Sequence, residues 1–338
     1  MAFNFKRAQD VPAQFCIFGK LPRRGDFVRI NATHPAATQL DTVLAESIRQ
    51  LDSDARIDGY RAMPPTSFVI RSRDGAWLSL GVIHPSHDES GRNYPLVAAS
   101  LLQSDGPQPP IAVLMLSNEL FFNGLQEQLG NAIDNAVEML ACRQYLEEQS
   151  IFGASSAADL ELAEQLLSRH LSLTRPDYLA GLLRQHGDTD IEALLLSFVF
   201  HSQLLRKFKD SLSAQTYLLP LPAGEGEDML AAVTWLSLFS AATAGMRDIP
   251  VQCLIIRQPQ ASYLALVPGA LSEHLLAQCW GVPLDARFII DVDDEQAPWR
   301  NHQSYAEAAY ILSRRLTDPQ FSVAQLCDVM ASLSRSLV

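Results

Sequence analysis

Strand-like segments lie on both sides of a long helical region in this chain, and this order restricts the fold more than any other feature of the sequence. A helix is predicted at 35–51, and the long helical region at 118–212 has apolar side chains at helical spacing over 118–148, 157–173 and 191–212. Short apolar runs typical of β-strands precede and follow it, at 14–21, 67–73, 77–83, 95–102, 216–221, 251–257 and 263–267. One sheet assembled from distant segments explains this order better than two independent domains.

The predicted fold is an α/β (α+β) sandwich with a central, mostly antiparallel or mixed sheet flanked by helices. The sequence lacks the regular strand–helix alternation of a doubly wound parallel sheet. Residues 1–281 are predicted to form the α/β domain, with a helical insert at about 146–212. Residues 282–338 are predicted to form a C-terminal helical extension that begins with the acidic segment 291–296.

Composition narrows the classes of partner. The 338 residues are 48% hydrophobic, enough to bury a large core, and carry 38 acidic against 26 basic residues. The net charge of −12 argues against binding to nucleic acid or anionic lipid. The five scattered cysteines form no CxxC pair, and no run of about 18 apolar residues indicates direct membrane insertion. We therefore expect a cytoplasmic protein with reduced thiols whose partners are proteins or small ligands.

The segment FGKLPRRGDFV, Phe18–Val28, has the first candidate functional residues. Gly19 and Lys20 follow a predicted strand, as in a phosphate-binding loop, and two arginines follow them. The GxxxxGK[ST] spacing is absent, because no glycine stands five residues before Gly19 and Leu21 replaces the hydroxyl residue. The Arg-Gly-Asp tripeptide at 24–26 would act as an attachment signal only outside the cell, and we interpret it as coincidental.

A structural turn is the simpler interpretation of the same segment. Pro22 fixes its own φ, Gly25 permits a positive φ, and the Asp26 carboxylate can accept backbone N–H bonds. This pattern predicts an ordered turn with Arg23 and Arg24 available to a carboxylate inside or outside the chain.

The segment HPSHDESGRNYPL, 84–96, has the second set of candidates. His84, His87, Asp88 and Glu89 include suitable metal ligands, but no known zinc pattern surrounds them. Ser86, His87 and Asp88 are adjacent in sequence, whereas catalytic triads converge in space, and there is no GxSxG motif. A solvated polar loop is favoured, so we predict no catalytic residue, no metal and no cofactor.

Together, the two segments resemble the signatures of the TagF (ImpM) family of type VI secretion accessory proteins. The first segment is similar to a signature in which an aromatic residue is followed by GKLP, one variable residue and RGDFV. The second, GVIHPSHDESGRNYPL at 81–96, is similar to the signature G-x-x-x-PS-x-D-x-x-GR-x-(F/Y)-PL. The resemblance is strongest over about the first hundred residues. Its matching positions are the predicted partner-binding or signature residues, namely Gly19, Lys20, Leu21, Pro22, Arg24, Gly25, Asp26, Pro85, Ser86, Asp88, Gly91, Arg92 and Pro95.

The resemblance implies a non-catalytic cytoplasmic protein that acts after translation, as a repressor or an assembly factor of the secretion apparatus. The implied partner is a forkhead-associated scaffold protein or a baseplate or membrane-complex component. Two alternatives stay open. One is a phosphate- or nucleotide-binding switch enzyme that uses Lys20, Arg23 and Arg24; the other is a structural subunit whose long helices form the interface.

The two segments also lead to a geometric expectation. Each contains an acid and an arginine suited to pairing, so we expect both loops to meet at one edge of the sheet. Arg24, Asp26, Asp88 and Arg92 would then exchange charge-assisted hydrogen bonds. Such a network would make a rigid platform for a protein partner.

Overall fold

An antiparallel sheet forms the centre of this protein, which we describe from a computed structural model. The described residues are 15–51, 53–104, 109–135, 138–149, 157–187, 189–208, 215–224, 226–244, 251–280, 282 and 285–336. Within them, eight strands pair in the order β2-β1-β5-β4-β3-β7-β8-β6, and every neighbouring pair is antiparallel. This confirms the predicted α/β fold with a sheet assembled from both ends of the chain.

The strands and helices have the following bounds. The strands are β1 (Phe15–Gly19), β2 (Val28–Ile30), β3 (Thr66–Arg71), β4 (Trp77–His84), β5 (Leu96–Gln103), β6 (Tyr217–Leu221), β7 (Val251–Arg257) and β8 (Ser262–Pro268). The helices are α1 (Pro35–Ile48), α2 (Asp54–Ala62), α3 (Ile111–Ser117), α4 (Glu119–Asp134), α5 (Met139–Gln149), α6 (Ala157–Leu173), α7 (Pro176–His186), α8 (Ile191–Lys207), α9 (Glu227–Ala242), α10 (Glu273–Gln278), α11 (Tyr305–Leu316) and α12 (Val323–Ser336).

Two hydrophobic cores lie on opposite faces of the sheet. Successive residues of a strand point to opposite faces, so in β1 Ile17 enters one core while Cys16 and Phe18 enter the other. The smaller core is closed by α1 and α10 and includes Trp280. The larger core receives side chains from α3 to α9 and from α11 and α12. Because both faces are covered, the strands are apolar along most of their length.

Most predicted elements match the structure, with differences at helix ends. The predicted helix 35–51 ends at Ile48, and the helix predicted over 191–212 ends at Lys207, with 209–214 outside the described residues. The helical region 118–148 divides into α4 and α5, because Asn135 has an extended backbone after α4. The sequence patterns did not predict α2, α3 or α7.

The C-terminal segment is part of the larger core. Leu312 of α11 and Met330 of α12 are completely buried against it, and Val292 of the acidic segment is also buried. The segment is also hydrogen-bonded to the sheet, because Thr216 at the start of β6 donates its N–H to Phe288 and accepts one from Ile290. The boundaries at 146, 212 and 281 stay predictions, but no acidic linker separates the described tail from the core.

Two further observations concern the whole described chain. The five cysteines are free thiols, and Cys327 alone among them is only partly buried. In the part of the chain that the structure describes, no helix has the length and apolar character needed to cross a bilayer.

The packing of the tail can be tested by mutation. Met330→Ala removes a completely buried side chain, so we expect it to lower the free energy of unfolding by roughly 2–5 kcal/mol. In urea unfolding followed by tryptophan fluorescence and circular dichroism, the midpoint of a single transition should shift. The control is Asp328→Ala on the exposed face of α12, expected to stay within about 0.5 kcal/mol. A separate early transition affected only by Met330→Ala would show instead that the tail unfolds independently.

Candidate functional site: a two-loop platform

The antiparallel register brings the two signature loops together. Phe18 of β1 lies opposite Val97 of β5, and His84 of β4 lies opposite Leu96. The end of β1, the end of β4 and the start of β5 are therefore at the same end of the sheet. The loops that leave there, 18–28 and 84–96, are in contact, and we name them the two-loop platform.

A close backbone contact sets the distance between the loops. Gly19 has φ +134°, and a Cβ atom built on it would lie 2.1 Å from the carbonyl oxygen of Pro95. Only glycine combines this φ with so close an approach. The Ser86 hydroxyl adds a second link by donating to the Lys20 carbonyl at 2.8 Å.

Asp88 is the electrostatic centre of the platform, and its side chain is completely buried. Its Oδ2 accepts from the Lys20 ammonium at 3.0 Å and from Nε of Arg92 at 2.7 Å. Its Oδ1 accepts the backbone N–H groups of Ser90 at 3.0 Å and of Arg92 at 2.9 Å. Both oxygens are thus satisfied by donors from the two loops, as a buried carboxylate requires.

These contacts keep Asp88 ionised. Burial alone would raise the pKa of Asp88, but the hydrogen bonds from the Arg92 backbone and from the Lys20 and Arg92 side chains outweigh it. The pKa therefore lies well below the usual value of an aspartate. The negative charge of Asp88 is balanced by these two neighbouring cations, of which the Lys20 side chain is 17% exposed and the Arg92 side chain 65% exposed.

Each loop also contains a tight turn. In the first turn, the N–H of Arg24 donates to the carbonyl of Leu21 at 3.0 Å. Pro22 is the second residue of this turn, a position where the fixed φ of proline is favoured. The second is closed by the N–H of Gly91 donating to Asp88 at 2.9 Å, and Gly91 has φ +79°. The positive φ expected at Gly25 is therefore found at Gly19 and Gly91 instead.

Two tyrosines that were not among the predicted site residues hold the platform from below. The Tyr60 hydroxyl, on α2, donates to the Ser86 carbonyl and accepts the Ser86 N–H, both at 2.8 Å. The Tyr94 hydroxyl contacts Asp41 on α1. Burial raises the pKa of both tyrosines, so they stay protonated donors. The position of Tyr60 had no sequence signal, because α2 was not predicted.

The expected charge network is only partly correct. Asp88 and Arg92 pair, but the second cation is Lys20 rather than Arg24. Arg24 contributes its backbone, whose carbonyl accepts the Glu89 N–H at 3.2 Å. The side chains of Arg23, Arg24 and Asp26 are exposed and have no hydrogen-bond or ionic partner among the residues described. These three side chains therefore face the solvent.

The other interpretations of the loops can be compared with this geometry. Lys20 is already paired with Asp88, which weakens the phosphate-loop interpretation. The Ser86 hydroxyl donates to a carbonyl rather than to a histidine, so the Ser-His-Asp sequence has no triad geometry. Within the described part of the chain, no group of three or more histidine, cysteine or carboxylate side chains is placed to hold a metal ion.

Comparison with known proteins adds a family match. Residues 16–149 match the sequence model described as the TagF N-terminal domain, type VI secretion system-associated. No curated protein matches the chain. A crystal structure of PA0076 from Pseudomonas aeruginosa PAO1 is 29% identical, over 35% of this chain and 53% of that one, with a TM-score of 0.29. This chain therefore matches about half the length of that protein.

The close approach at Gly19 predicts a large difference between two glycines of one loop. Gly19→Ala should lower the free energy of unfolding by about 2–5 kcal/mol, because the new Cβ meets the Pro95 carbonyl at a φ that alanine avoids. Gly25→Ala should change it by less than about 1 kcal/mol, since a Cβ there approaches only the end of the Glu89 side chain, at 3.9 Å. Urea titration measures both, and equal effects would contradict the described contact.

The Asp88 network predicts a defined pH dependence. Because the pKa of Asp88 is lower in the folded protein than in the unfolded chain, its carboxylate stabilises the fold above about pH 4, and this contribution is lost as the pH falls further. Asp88→Asn should therefore lower the thermal midpoint at neutral pH, and its difference from the wild type should narrow in acid. Asp26→Asn is the matched control and should have no effect. Equal midpoints for Asp88→Asn and wild type at neutral pH would refute the role of the network.

Proposed function

We propose that this chain belongs to the TagF family of type VI secretion system-associated proteins and is a non-catalytic accessory protein that holds another component of that system through the two-loop platform. The match of residues 16–149 to the TagF N-terminal domain model supports the family assignment. One observation carries this proposal. The platform presents Arg23, Arg24 and Asp26 to solvent on a backbone fixed by the buried Asp88 and by Gly19.

This arrangement suits recognition of a protein. The hydrogen bonds between the loops fix the backbone before binding, which reduces the entropy lost in a complex. Arginine is enriched at protein interfaces because its guanidinium can bind a carboxylate through two hydrogen bonds. Acidic groups of the partner would therefore contact Arg23, Arg24 and the exposed part of Arg92. Asp26 would repel acidic groups of a partner that binds in the wrong position.

The same contacts support a non-enzymatic role. Three platform residues that could bind phosphate or act as a nucleophile have structural partners: Lys20 and Arg92 neutralise Asp88, and Ser86 joins the loops. The proposed protein therefore works by binding in the cytoplasm, as a repressor or assembly factor. Its proposed partner is a forkhead-associated scaffold protein or a baseplate or membrane-complex component, as the family signatures imply.

Deletion of the gene, followed by measurement of secreted effector, tests the role. A repressor gives increased secretion on deletion, whereas an assembly factor or a structural subunit gives a loss. Re-expression of the wild type should restore the original level in either case. Re-expression of Arg23→Glu/Arg24→Glu should fail to restore the original level of secretion. The wild type is also used to capture its partner from the native cytosol, and this partner should bind the double variant at least roughly tenfold more weakly than the wild type.

The matched control is Arg314→Glu/Arg315→Glu, which makes the same charge change at two exposed neighbours on α11. Both double variants should keep the circular dichroism spectrum of the wild type. If Arg23→Glu/Arg24→Glu restores normal secretion and captures the same partner as strongly as the wild type, the platform is not the binding surface.

A further inference from the structure

A cavity of about 530 Å³ lies between the second half of α8 and the C-terminal segment. This volume falls in the range of roughly 300–1,000 Å³ that is typical of small-ligand sites. One wall is a single face of α8, with side chains three and four residues apart, namely Phe200, Gln203, Leu204 and Lys207. The opposite wall is the short 3₁₀ helix Pro298–Asn301 and the following His302. The cavity is therefore formed by two elements that are distant in sequence.

Aromatic rings give this cavity apolar sides. The rings of Phe200 and His302 have their centroids 5.1 Å apart, and the ring of Trp299 packs against His201 with centroids 5.3 Å apart. Trp299 is 7% exposed, whereas Phe208, just after α8, is 45% exposed and also lines the cavity. Rings held in this way suit a ligand with a flat, apolar body.

The charged residues that line the cavity are all positive. Arg206 and Lys207, in the last turn of α8, have no ionic partner among the side chains that the structure describes. No aspartate or glutamate is among the described residues that line the cavity, and the acidic segment 291–296 is not part of its wall. On a chain with a net charge of −12, this local excess of positive charge favours an anionic ligand.

Two polar groups in the walls also favour a ligand that accepts hydrogen bonds. Nε1 of Trp299 and Nε2 of Gln203 are buried and have no hydrogen-bond partner among the described residues. A buried N–H group without an acceptor is unfavourable, and the indole N–H can only donate. Because side chains commonly rotate on binding, the walls can adjust until a ligand oxygen in the cavity accepts from these groups.

We propose that this cavity binds a small organic anion that has an aromatic body and a carboxylate or another oxyanion group. The body lies between the rings of Phe200, Trp299 and His302. The oxyanion is paired with Arg206 and Lys207. Because the ligand contacts both α8 and the C-terminal segment, its binding stabilises the packing of that segment on the core. The two-loop platform has no part in this site.

Two fluorescent probes with similar rings test the proposal on the full chain. Anilinonaphthalene sulfonate has an anionic group, whereas phenylnaphthylamine is uncharged. In fluorescence titrations at neutral pH, the sulfonate should bind in a one-to-one ratio and at least roughly tenfold more tightly than the uncharged probe. Benzoate should displace the sulfonate, while inorganic phosphate, which lacks an aromatic body, should not.

Variants of the cavity identify where the probe binds. Arg206→Glu/Lys207→Glu should weaken the sulfonate at least roughly tenfold and leave the uncharged probe unaffected. Gln203→Glu, which is nearly isosteric and adds a carboxylate to the wall, should have the same selective effect. The matched control is Arg314→Glu/Arg315→Glu on α11, which should bind both probes as the wild type does.

Thermal unfolding followed by circular dichroism shows that each variant is folded during the titrations. This measurement is needed because Arg206 and Lys207 also interact favourably with the C-terminal end of the α8 dipole. Equal affinities of the wild type for the two probes overturn the proposal. So does displacement by inorganic phosphate as effective as that by benzoate, or a sulfonate affinity that both cavity variants leave unchanged.

Discussion

The buried carboxylate of Asp88 is the interaction on which the geometry of the platform depends. It joins two loops that are distant in sequence, because Lys20 of the first loop pairs with Asp88 of the second, 68 positions further on (88 − 20), which also binds Arg92. A completely buried carboxylate is costly unless donors surround it, and here the donors are available only when both loops have their described conformations. The interaction therefore selects one arrangement of the loops over others. Buried ion pairs recover their desolvation cost only with good geometry. The Asp88 network therefore contributes to the specificity of the loop arrangement as much as to stability.

The same constraint determines which charges face the solvent. Lys20 and the Nε of Arg92 pair with Asp88, so the charges available to the proposed partner are those of the exposed Arg23, Arg24 and Asp26. The chain as a whole has twelve more acidic than basic charges, yet this segment contains consecutive arginines. A local excess of positive charge on an acidic protein favours an acidic surface on the partner and disfavours association through most other faces.

The sequence predicted the sheet more successfully than the contacts between loops. Short apolar runs in the sequence predicted seven of the eight described strands, all except β2, because a buried strand needs apolar side chains within its own short segment. The motifs also named Asp88 and Arg92, but charge spacing could not decide whether Lys20 or Arg24 would complete the pair. That choice depends on the direction of the Leu21–Arg24 turn and on the register of β1 against β5, which are properties of the folded chain. Tyr60 had no signal at all, since its role depends on where α2 packs.

The edges of the sheet favour the proposed recognition through side chains over recognition through the backbone. An exposed strand edge can bind another chain through its backbone, and proteins restrict such edges by shortening or covering them. Here β2, at one edge, has only three residues, and at the other edge Thr216 beside β6 is bonded to Phe288 and Ile290 of the C-terminal segment. Backbone pairing with a partner is therefore limited at both edges. In the proposed function, the C-terminal segment would therefore contribute beyond the core, because its bonds to Thr216 restrict backbone pairing beside β6 and leave the exposed side chains of the platform as the better surface for selective binding.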